Sequence, residues 1–134
     1  MADCTFCKIV SGHLPAYKIY EDDKFLAFLD IFPVVTGQTL VVPKKHYRWA
    51  YEVKEFGEYW QVAQKIAKAQ IKSLSASTVL FITAGFQIPH AHIHVLPAPP
   101  KAKGEFLPGI ESAKRIKVTL EDLIQTASAI RSAL

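Results

Sequence analysis

The chain has no long apolar run and only two cysteines. A transmembrane helix needs roughly 18 to 20 consecutive apolar residues, and no stretch of this sequence approaches that length. The N-terminal stretch MADCTFCKIV lacks the basic segment and apolar core of a secretion signal, and no internal repeat is visible. These absences argue against a membrane-spanning protein and a repeat array, and they predict a cytoplasmic protein without a membrane partner.

The chain does contain enough apolar residues for a buried core. Half of its 134 residues are apolar, including eight phenylalanines and five tyrosines, so we predict one globular domain spanning residues 1–134. The net charge is +4, with basic residues concentrated at 44–48, 101–103 and 114–117. This surplus suits a phosphate-bearing ligand, although a solvated surface also explains it. No nucleic-acid-binding motif accompanies the charge, so nucleic acid is not expected as a partner.

Apolar periodicity and turn residues predict an α+β fold. Strands are expected at residues 17–20, 25–29, 39–43, 77–83 and 115–118, and helical segments at 5–12, at 53–74 and from Thr119 onward. Residues 98–109 are rich in proline and glycine and are expected to be irregular. The pattern indicates short, mostly antiparallel strands with helices laid on one face of the sheet.

The two longer helices each carry a specific prediction. Thr119 is expected to be the N-cap of the C-terminal helix, with Asp122 completing a capping box. In the long helix, apolar residues recur at three- and four-residue steps and predict one buried face. That face consists of Phe56, Tyr59, Trp60, Ala63, Ile66, Ala67 and Ile71.

Cys4 and Cys7 are spaced C-x-x-C. A redox motif with this spacing is expected between a strand and a helix, and no predicted strand precedes this pair. Half of a zinc site is therefore the better interpretation, and it requires two further ligands from elsewhere in the chain.

Three of the five histidines fall at alternate positions in PHAHIHVLP, residues 89–97. Side chains in a strand alternate between faces, so His90, His92 and His94 are expected to point to one side and the intervening apolar residues into the core. Neighbouring imidazoles can then share a metal ion or a phosphate, and the repulsion between like charges keeps at least one of them neutral near pH 7. A catalytic zinc held by two of these histidines stays open at this point.

The motif HAHIHVL resembles the His-φ-His-φ-His-φ-φ signature of the histidine triad family of nucleotide hydrolases and transferases, where φ is an apolar residue. The segments CTFCKIV, AFLDI and TLVVPKKH also look like the N-terminal half of that family. The resemblance covers roughly residues 4–97, whereas residues 98–134 are divergent. It implies an antiparallel sheet of about five strands with one long helix, and a two-fold homodimer that extends the sheet.

The resemblance also implies roles for the three triad histidines. His92 attacks the α-phosphate of a nucleotide, and water then hydrolyses the nucleotidyl-histidine intermediate. His94 holds the phosphate or the leaving group, and His90 is a catalytic candidate that also binds metal. Family members with this cysteine pair bind zinc, and the matching ligands of a structural zinc site are Cys4, Cys7, His46 and His90.

The nucleotide-binding residues follow from the same resemblance. Asp30, at the end of AFLDI, matches the acidic residue that holds the ribose hydroxyls. The apolar slot for the base is then formed by Phe6, Leu29, Ile31 and Phe32, for each of which a plain core role is the alternative.

The sequence departs from the family pattern in three places. Gln38 stands where the family often has a supporting histidine. The loop before the triad is shorter and has Phe86 where glutamine is usual, so phosphate donors are expected from Thr83, Gln87 or main-chain N–H groups. The divergent tail that begins APPKAKG leaves the leaving-group pocket undefined.

The implied function is hydrolysis or transfer at the α-phosphate of a purine nucleoside phosphoramidate or a dinucleoside polyphosphate, with an AMP-like nucleotide as ligand. Two alternatives stay open. One is a nucleotide-binding or scaffold protein with weak or no turnover, and the other is a hydrolase whose zinc is itself the catalyst.

Overall fold

A computed structural model describes residues 3–99 and 114–134. These residues form the predicted α+β fold, with a five-stranded antiparallel sheet, three α-helices and a short 3₁₀ turn at Ala50–Glu52. The helices are α1 (Thr5–Val10), α2 (Phe56–Leu74) and α3 (Leu120–Ser132). The strands are β1 (Lys18–Glu21), β2 (Phe25–Leu29), β3 (Thr39–Pro43), β4 (Val79–Ile82) and β5 (Ile93–Pro97). Within the described residues, no helix is long and apolar enough to cross a membrane.

The strand order places β5 inside the sheet. The strands lie side by side as β1, β2, β3, β5 and β4, and all neighbours are antiparallel. His94 in β5 lies opposite Leu40 of β3 and Ile82 of β4. Pairing on both edges fixes the register of β5, and the register decides the face to which His94 points.

Two apolar clusters cover the two faces of the sheet. On one face, α2 and α3 pack over a cluster that includes Val41 and Ile93. On the other face, Phe6 and Ile9 of α1 pack against Phe28 and its neighbours. The prediction that the helices lie on one face is therefore wrong for α1, because its two large apolar side chains bury themselves against the second face.

Helix α2 is rotated relative to its predicted apolar face. Phe56 and Ile71 are exposed, whereas Gln70 is fully buried. Its Nε2 donates to the carbonyl oxygens of Gly37 at 3.0 Å and Val95 at 3.1 Å. Since a buried amide needs such partners, these hydrogen bonds help to decide which side of the helix enters the core.

The prediction of a strand at 115–118 is wrong. These residues are irregular, although the Ile116 N–H donates to the carbonyl oxygen of Pro33 at 2.9 Å. Pro33 belongs to the loop between β2 and β3, and a loop offers no ladder of successive backbone partners. The predicted irregular stretch 98–109 lies, apart from Ala98 and Pro99, outside the described residues.

Helix α3 begins as predicted. The Asp122 N–H donates to the Thr119 Oγ1 at 3.0 Å, and the Thr119 N–H donates to the Asp122 carboxylate at 3.0 Å. This capping box satisfies two N–H groups that would otherwise lack partners, and it fixes where the irregular segment before α3 ends.

Candidate active site

The sheet face that carries α1 borders a cavity of about 330 Å³. This volume lies within the range of small-molecule sites, roughly 300 to 1,000 Å³. The predicted site residues that line it are Phe6, Leu29, Asp30, Ile31, Phe32, Gln87, His92 and His94.

Three other predicted residues lie elsewhere. His90 faces the cysteine pair, and Gln38 is buried behind the lining, where it contacts Asp30 and His94. Thr83 follows β4 directly, is exposed and is not part of the lining. A role for Thr83 as a phosphate donor therefore stays a prediction from the sequence.

The triad histidines share one side of the chain, although only His94 lies within β5. The ring centroids of His92 and His94 are 4.8 Å apart. The ring of Phe6 packs edge-on against both His90 and His92, with centroid distances of 5.8 and 5.1 Å. The alternation predicted from the sequence therefore begins before the strand itself.

His90 directs its two ring nitrogens to different partners. Its Nε2 lies 2.8 Å from the carbonyl oxygen of Pro43, and because a carbonyl can only accept, Nε2 carries the proton. Burial lowers the pKa of His90 to about 4, so the ring is neutral near pH 7 and its Nδ1 keeps a lone pair. This Nδ1 lies 3.3 Å from the Cys4 Sγ and 3.5 Å from the Cys7 Sγ.

Four donor atoms converge at this point. They belong to Cys4, Cys7, His46 and His90, and all lie within 4.8 Å of one another. The His46 Nδ1 is 3.2 Å from the Cys7 Sγ. A tetrahedral zinc with bonds of roughly 2.0 to 2.3 Å separates its ligand atoms by about 3.3 to 3.8 Å. The Cys4–His90, Cys7–His46 and Cys7–His90 pairs, at 3.3, 3.2 and 3.5 Å, are close to that range, whereas the limit for the whole set, 4.8 Å, is wider. The donor set therefore fits zinc in both chemistry and spacing.

The protonation state of the Cys7 thiol depends on whether a cation is bound beside it. Burial and the neighbouring Cys4 side chain raise the pKa of the Cys7 thiol to about 11. A thiolate at neutral pH therefore needs a cation beside it, and a bound metal displaces the thiol protons.

Gln38 occupies the place of the family histidine and bridges two site residues. The Val34 N–H donates to its Oε1 at 2.7 Å, which fixes the orientation of the amide because a backbone N–H cannot accept. Its Nε2 therefore donates to the Asp30 Oδ2 and to the His94 Nδ1, both at 3.2 Å.

This donation sets the tautomer of His94. Since Nδ1 accepts from Gln38, the ring proton lies on Nε2. Burial, followed by the charges of His92 and Arg115, lowers the pKa of His94 to about 3, so the ring stays neutral near pH 7. His94 can thus offer one Nε2–H donor to a ligand oxygen.

His92 has the opposite tautomer. Its Nδ1 lies 2.7 Å from the carbonyl oxygen of His90, so Nδ1 carries the proton of the neutral ring. The lone pair is then on Nε2, and a neutral imidazole nitrogen with a lone pair is a competent nucleophile. Two neighbouring imidazoles in one cavity are therefore prepared for different tasks by their backbone and amide partners.

Asp30 and its neighbours form the other end of the cavity lining. The Asp30 Oδ1 accepts from the Phe32 N–H at 2.8 Å, and each carboxylate oxygen retains a second lone pair for a ligand hydroxyl. Phe6 and Leu29 are buried, whereas Ile31 and Phe32 are 50% and 68% exposed. A plain core role is therefore excluded for Ile31 and Phe32.

In the short loop before the triad, the adjacent side chains of Phe86 and Gln87 have different surroundings. The ring of Phe86 packs edge-on against Trp49 at a centroid distance of 5.8 Å, and the carbonyl oxygen of Gly85 accepts from the Arg48 Nη1 at 2.7 Å. Gln87, rather than Phe86, lines the cavity. The glutamine that comes one place late in the sequence therefore still reaches the site.

Sequence reasoning missed several lining residues. The apolar ones include Ile9, Ala16 and Ile88, and the one that adds a positive charge is Arg115. The basic run at 114–117 was the only signal for Arg115, and charge alone does not say which member of a run enters a cavity.

Known proteins share this fold. The family model described as HIT domain matches residues 11–101, and the chain therefore belongs to the HIT domain family. A hypothetical histidine triad nucleotide-binding protein from Sulfolobus tokodaii superposes with a TM-score of 0.82 at 31% identity, covering 97% of this chain and 91% of that one.

Two other relatives bear on metal and chemistry. A zinc-bound histidine triad family protein from Mycobacterium smegmatis superposes with a TM-score of 0.77 at 34% identity, over 98% of this chain and 93% of that one. The adenylylsulfatase HINT3 of Arabidopsis thaliana is 31% identical over 96% of this chain and 68% of its own length.

The hydrogen bonds of Gln38 yield a testable prediction. We expect the imidazole ¹H–¹⁵N spectrum of the wild type to show His94 as the Nε2–H tautomer. Gln38→Leu removes the donor to Nδ1, so we expect mixed tautomers and a loss of about tenfold or more in nucleotide affinity or turnover, as for a hydrogen bond at a charged or buried partner. Gln38→His, which can still donate, should restore most of that loss. A His94 signal of the Nδ1–H tautomer in the wild type would contradict the prediction.

Proposed function

We propose that the chain hydrolyses or transfers the nucleotidyl group of a purine nucleotide conjugate through a covalent bond to His92. The observation that carries the proposal is the hydrogen bond from the His92 Nδ1–H to the His90 carbonyl oxygen at 2.7 Å. It places the lone pair of the neutral ring on Nε2, in a residue that lines the cavity together with His94 and Asp30. Membership of the HIT domain family supports the assignment, as does the activity in the name of the Arabidopsis relative.

The proposed reaction has two displacements at the α-phosphorus. In the first, the His92 Nε2 forms a bond to phosphorus, and the bond to the leaving group breaks with its electron pair on the leaving group. An amine leaving group also takes up a proton from solvent in this step. The His90 carbonyl, which holds the Nδ1 proton, stabilises the cationic ring that results. In the second, water attacks phosphorus and releases a proton to solvent, while the P–N bond breaks with its electron pair on the His92 Nε2. Neutral His92 is thereby regenerated, and a nucleoside monophosphate is released.

The neighbouring groups assist without covalent chemistry. His94, neutral and protonated on Nε2, donates to a phosphate oxygen, where its hydrogen bond strengthens as charge develops. Asp30 accepts the ribose hydroxyls, and Gln38 joins the sugar end of the site to the phosphate end through one amide group. The exposed side chains of Ile31 and Phe32 cover the base.

We expect the wild type to release AMP from adenosine 5′-phosphoramidate and to accumulate an adenylylated protein detectable by mass spectrometry. His92→Asn removes the nucleophile and should lower kcat by about three orders of magnitude or more. His13→Asn is the matched control, because His13 is exposed and lies outside the cavity lining. AMP release by His92→Asn at the wild-type rate would show that His92 is not the nucleophile. Tight AMP binding without turnover of any conjugate would favour the binding-protein alternative.

We propose further that Cys4, Cys7, His46 and His90 hold a structural zinc ion. Four protein ligands complete a tetrahedral site and leave no position for a reactive water. The metal, when bound, supplies a cross-link between the N-terminal segment and the residues that precede β5. Because His92 is hydrogen-bonded to the main chain of His90, that cross-link also steadies the nucleophile.

Metal exchange separates this role from zinc catalysis. We expect one zinc per chain, and a cobalt-substituted protein should show the absorption of a tetrahedral thiolate and imidazole site. A structural ion predicts that kcat changes little between zinc and cobalt, whereas Cys4→Ser should lower the metal content and the thermal stability together. A kcat that follows the identity of the metal would support the zinc-catalysed alternative.

We propose a homodimer formed at the β4 edge of the sheet. Among the described residues, strand β4 pairs only with β5, and exposed apolar rings lie beside it. Phe81 of β4 is 41% exposed and packs edge-on against Trp60 of α2, which in turn contacts the exposed Phe56. An unpaired edge with an apolar border is a favourable surface for strand addition.

Sedimentation tests the dimer. We expect the wild type to sediment at twice the 15.0 kDa mass of one chain. Phe81→Lys places a charge on the edge strand and should shift the protein to monomer. Ile124→Lys is the control, because Ile124 is a similarly exposed apolar residue on α3. A dimer that survives Phe81→Lys would place the interface elsewhere.

The single domain and the cytoplasmic location stay predictions from the sequence.

A further inference from the structure

Arg115 reaches the cavity from the segment that precedes α3 and lines it together with His92 and His94. Two sets of hydrogen bonds fix this segment. The Ile116 N–H, directly after Arg115, donates to the Pro33 carbonyl oxygen, and the capping box fixes the start of α3. The guanidinium therefore extends from a braced stretch of chain and not from a free tail.

The charge of Arg115 is poorly matched by the protein around it. Its Nη1 is buried and finds no hydrogen-bond acceptor among the described residues. Asp30 is the carboxylate in the described lining of the cavity, and its hydrogen bonds within the described residues go to Phe32 and Gln38 and not to Arg115. None of the ion pairs in the described ranges includes Arg115. A buried donor without an acceptor costs free energy, so the site is complementary to an anion from outside the chain.

The position of Arg115 relative to His94 indicates where that anion lies. Both side chains line the same cavity, and the guanidinium charge contributes to the lowered pKa of His94. His94 offers one neutral donor, whereas a guanidinium offers a planar fork that matches two oxygens of a sulfate or phosphate group. His94 alone can supply one donor to the α-phosphate. Arg115 therefore adds donors for a second anionic group beside it.

We propose that Arg115 binds the anionic leaving group of the substrate, and that the enzyme therefore favours adenylyl conjugates of sulfate or phosphate over adenylyl amides. The proposal rests on the nucleotidyl transfer to His92 proposed above.

The chemistry of the leaving group makes this a real distinction. When the His92 Nε2 attacks phosphorus, the bond from phosphorus to the bridging oxygen breaks and the electron pair stays on a sulfate or phosphate oxygen. That developing negative charge is stabilised by a fixed cation. An amine leaving group instead needs a proton as its P–N bond breaks, and a guanidinium is not a proton donor at neutral pH. Arg115 therefore assists the first class of substrate and not the second.

The test compares two substrates across matched variants. We expect Arg115→Gln to lower kcat/KM for adenosine 5′-phosphosulfate by about 10- to 100-fold, the range for a lost hydrogen bond to a charged group. With adenosine 5′-phosphoramidate the loss should stay below about threefold. Arg115→Lys keeps the charge without the fork and should fall between the two. Lys117→Gln removes the same charge from the same segment at an exposed position outside the lining, and it should leave both substrates unaffected.

The outcomes separate this proposal from the general function. Equal losses on both substrates, or no loss on either, would overturn the assignment of Arg115 to the leaving group. Sulfate titrated into the AMP-saturated protein gives a readout that does not need turnover, and it should bind the wild type and Lys117→Gln but not Arg115→Gln. If the wild type releases no AMP from either substrate, the proposed function fails, while sulfate binding that ignores Arg115 overturns the subsite by itself.

Discussion

The hydrogen bond between the His92 Nδ1 and the His90 carbonyl oxygen, 2.7 Å long, is the contact on which the rest of the site depends. It joins one residue of the cavity to another whose side chain belongs to the cysteine cluster. The His90 ring is itself held by Pro43 on one nitrogen and by the thiols of Cys4 and Cys7 on the other. The same residue thus connects α1, the end of β3 and the start of β5, and its main chain decides which nitrogen of His92 has a lone pair.

A second network sets the remaining side of the cavity. The side-chain oxygen of Gln38 accepts a hydrogen bond from a backbone N–H, and its amide nitrogen donates to Asp30 and to His94. A histidine in this place could change its charge near neutral pH, whereas glutamine cannot, so the tautomer of His94 is set by amide geometry alone. Burial has the same consequence, because it lowers the pKa of His94 to about 3. The neutral state and the tautomer of His94 are therefore set by two effects, burial of the ring and the hydrogen bond from Gln38.

The segment before α3 shows how residues distant in the chain complete a site. It resembles no family pattern, and its predicted strand does not form. Its contact with Pro33 nevertheless brings it beside the loop that carries Ile31 and Phe32, and Arg115 enters the cavity there. Phe86 illustrates the converse, since it occupies a sequence position associated with the site but packs against Trp49. A match to a motif identifies candidate site residues, and the local packing decides which of their side chains face the cavity.

The sequence by itself determined the features that depend on neighbours within a few residues. Period-two alternation predicted the common side of the triad, the Thr119–Asp122 pair predicted the start of α3, and the resemblance to known motifs identified Asp30 and the four zinc ligand candidates. Tertiary structure alone decided the tautomers of His92 and His94, the outward position of Phe86 and the place of Arg115. The physical reason is range, because a hydrogen bond such as that between Cys4 and His90, 86 residues apart, follows from how the elements pack and leaves no periodic trace in the sequence.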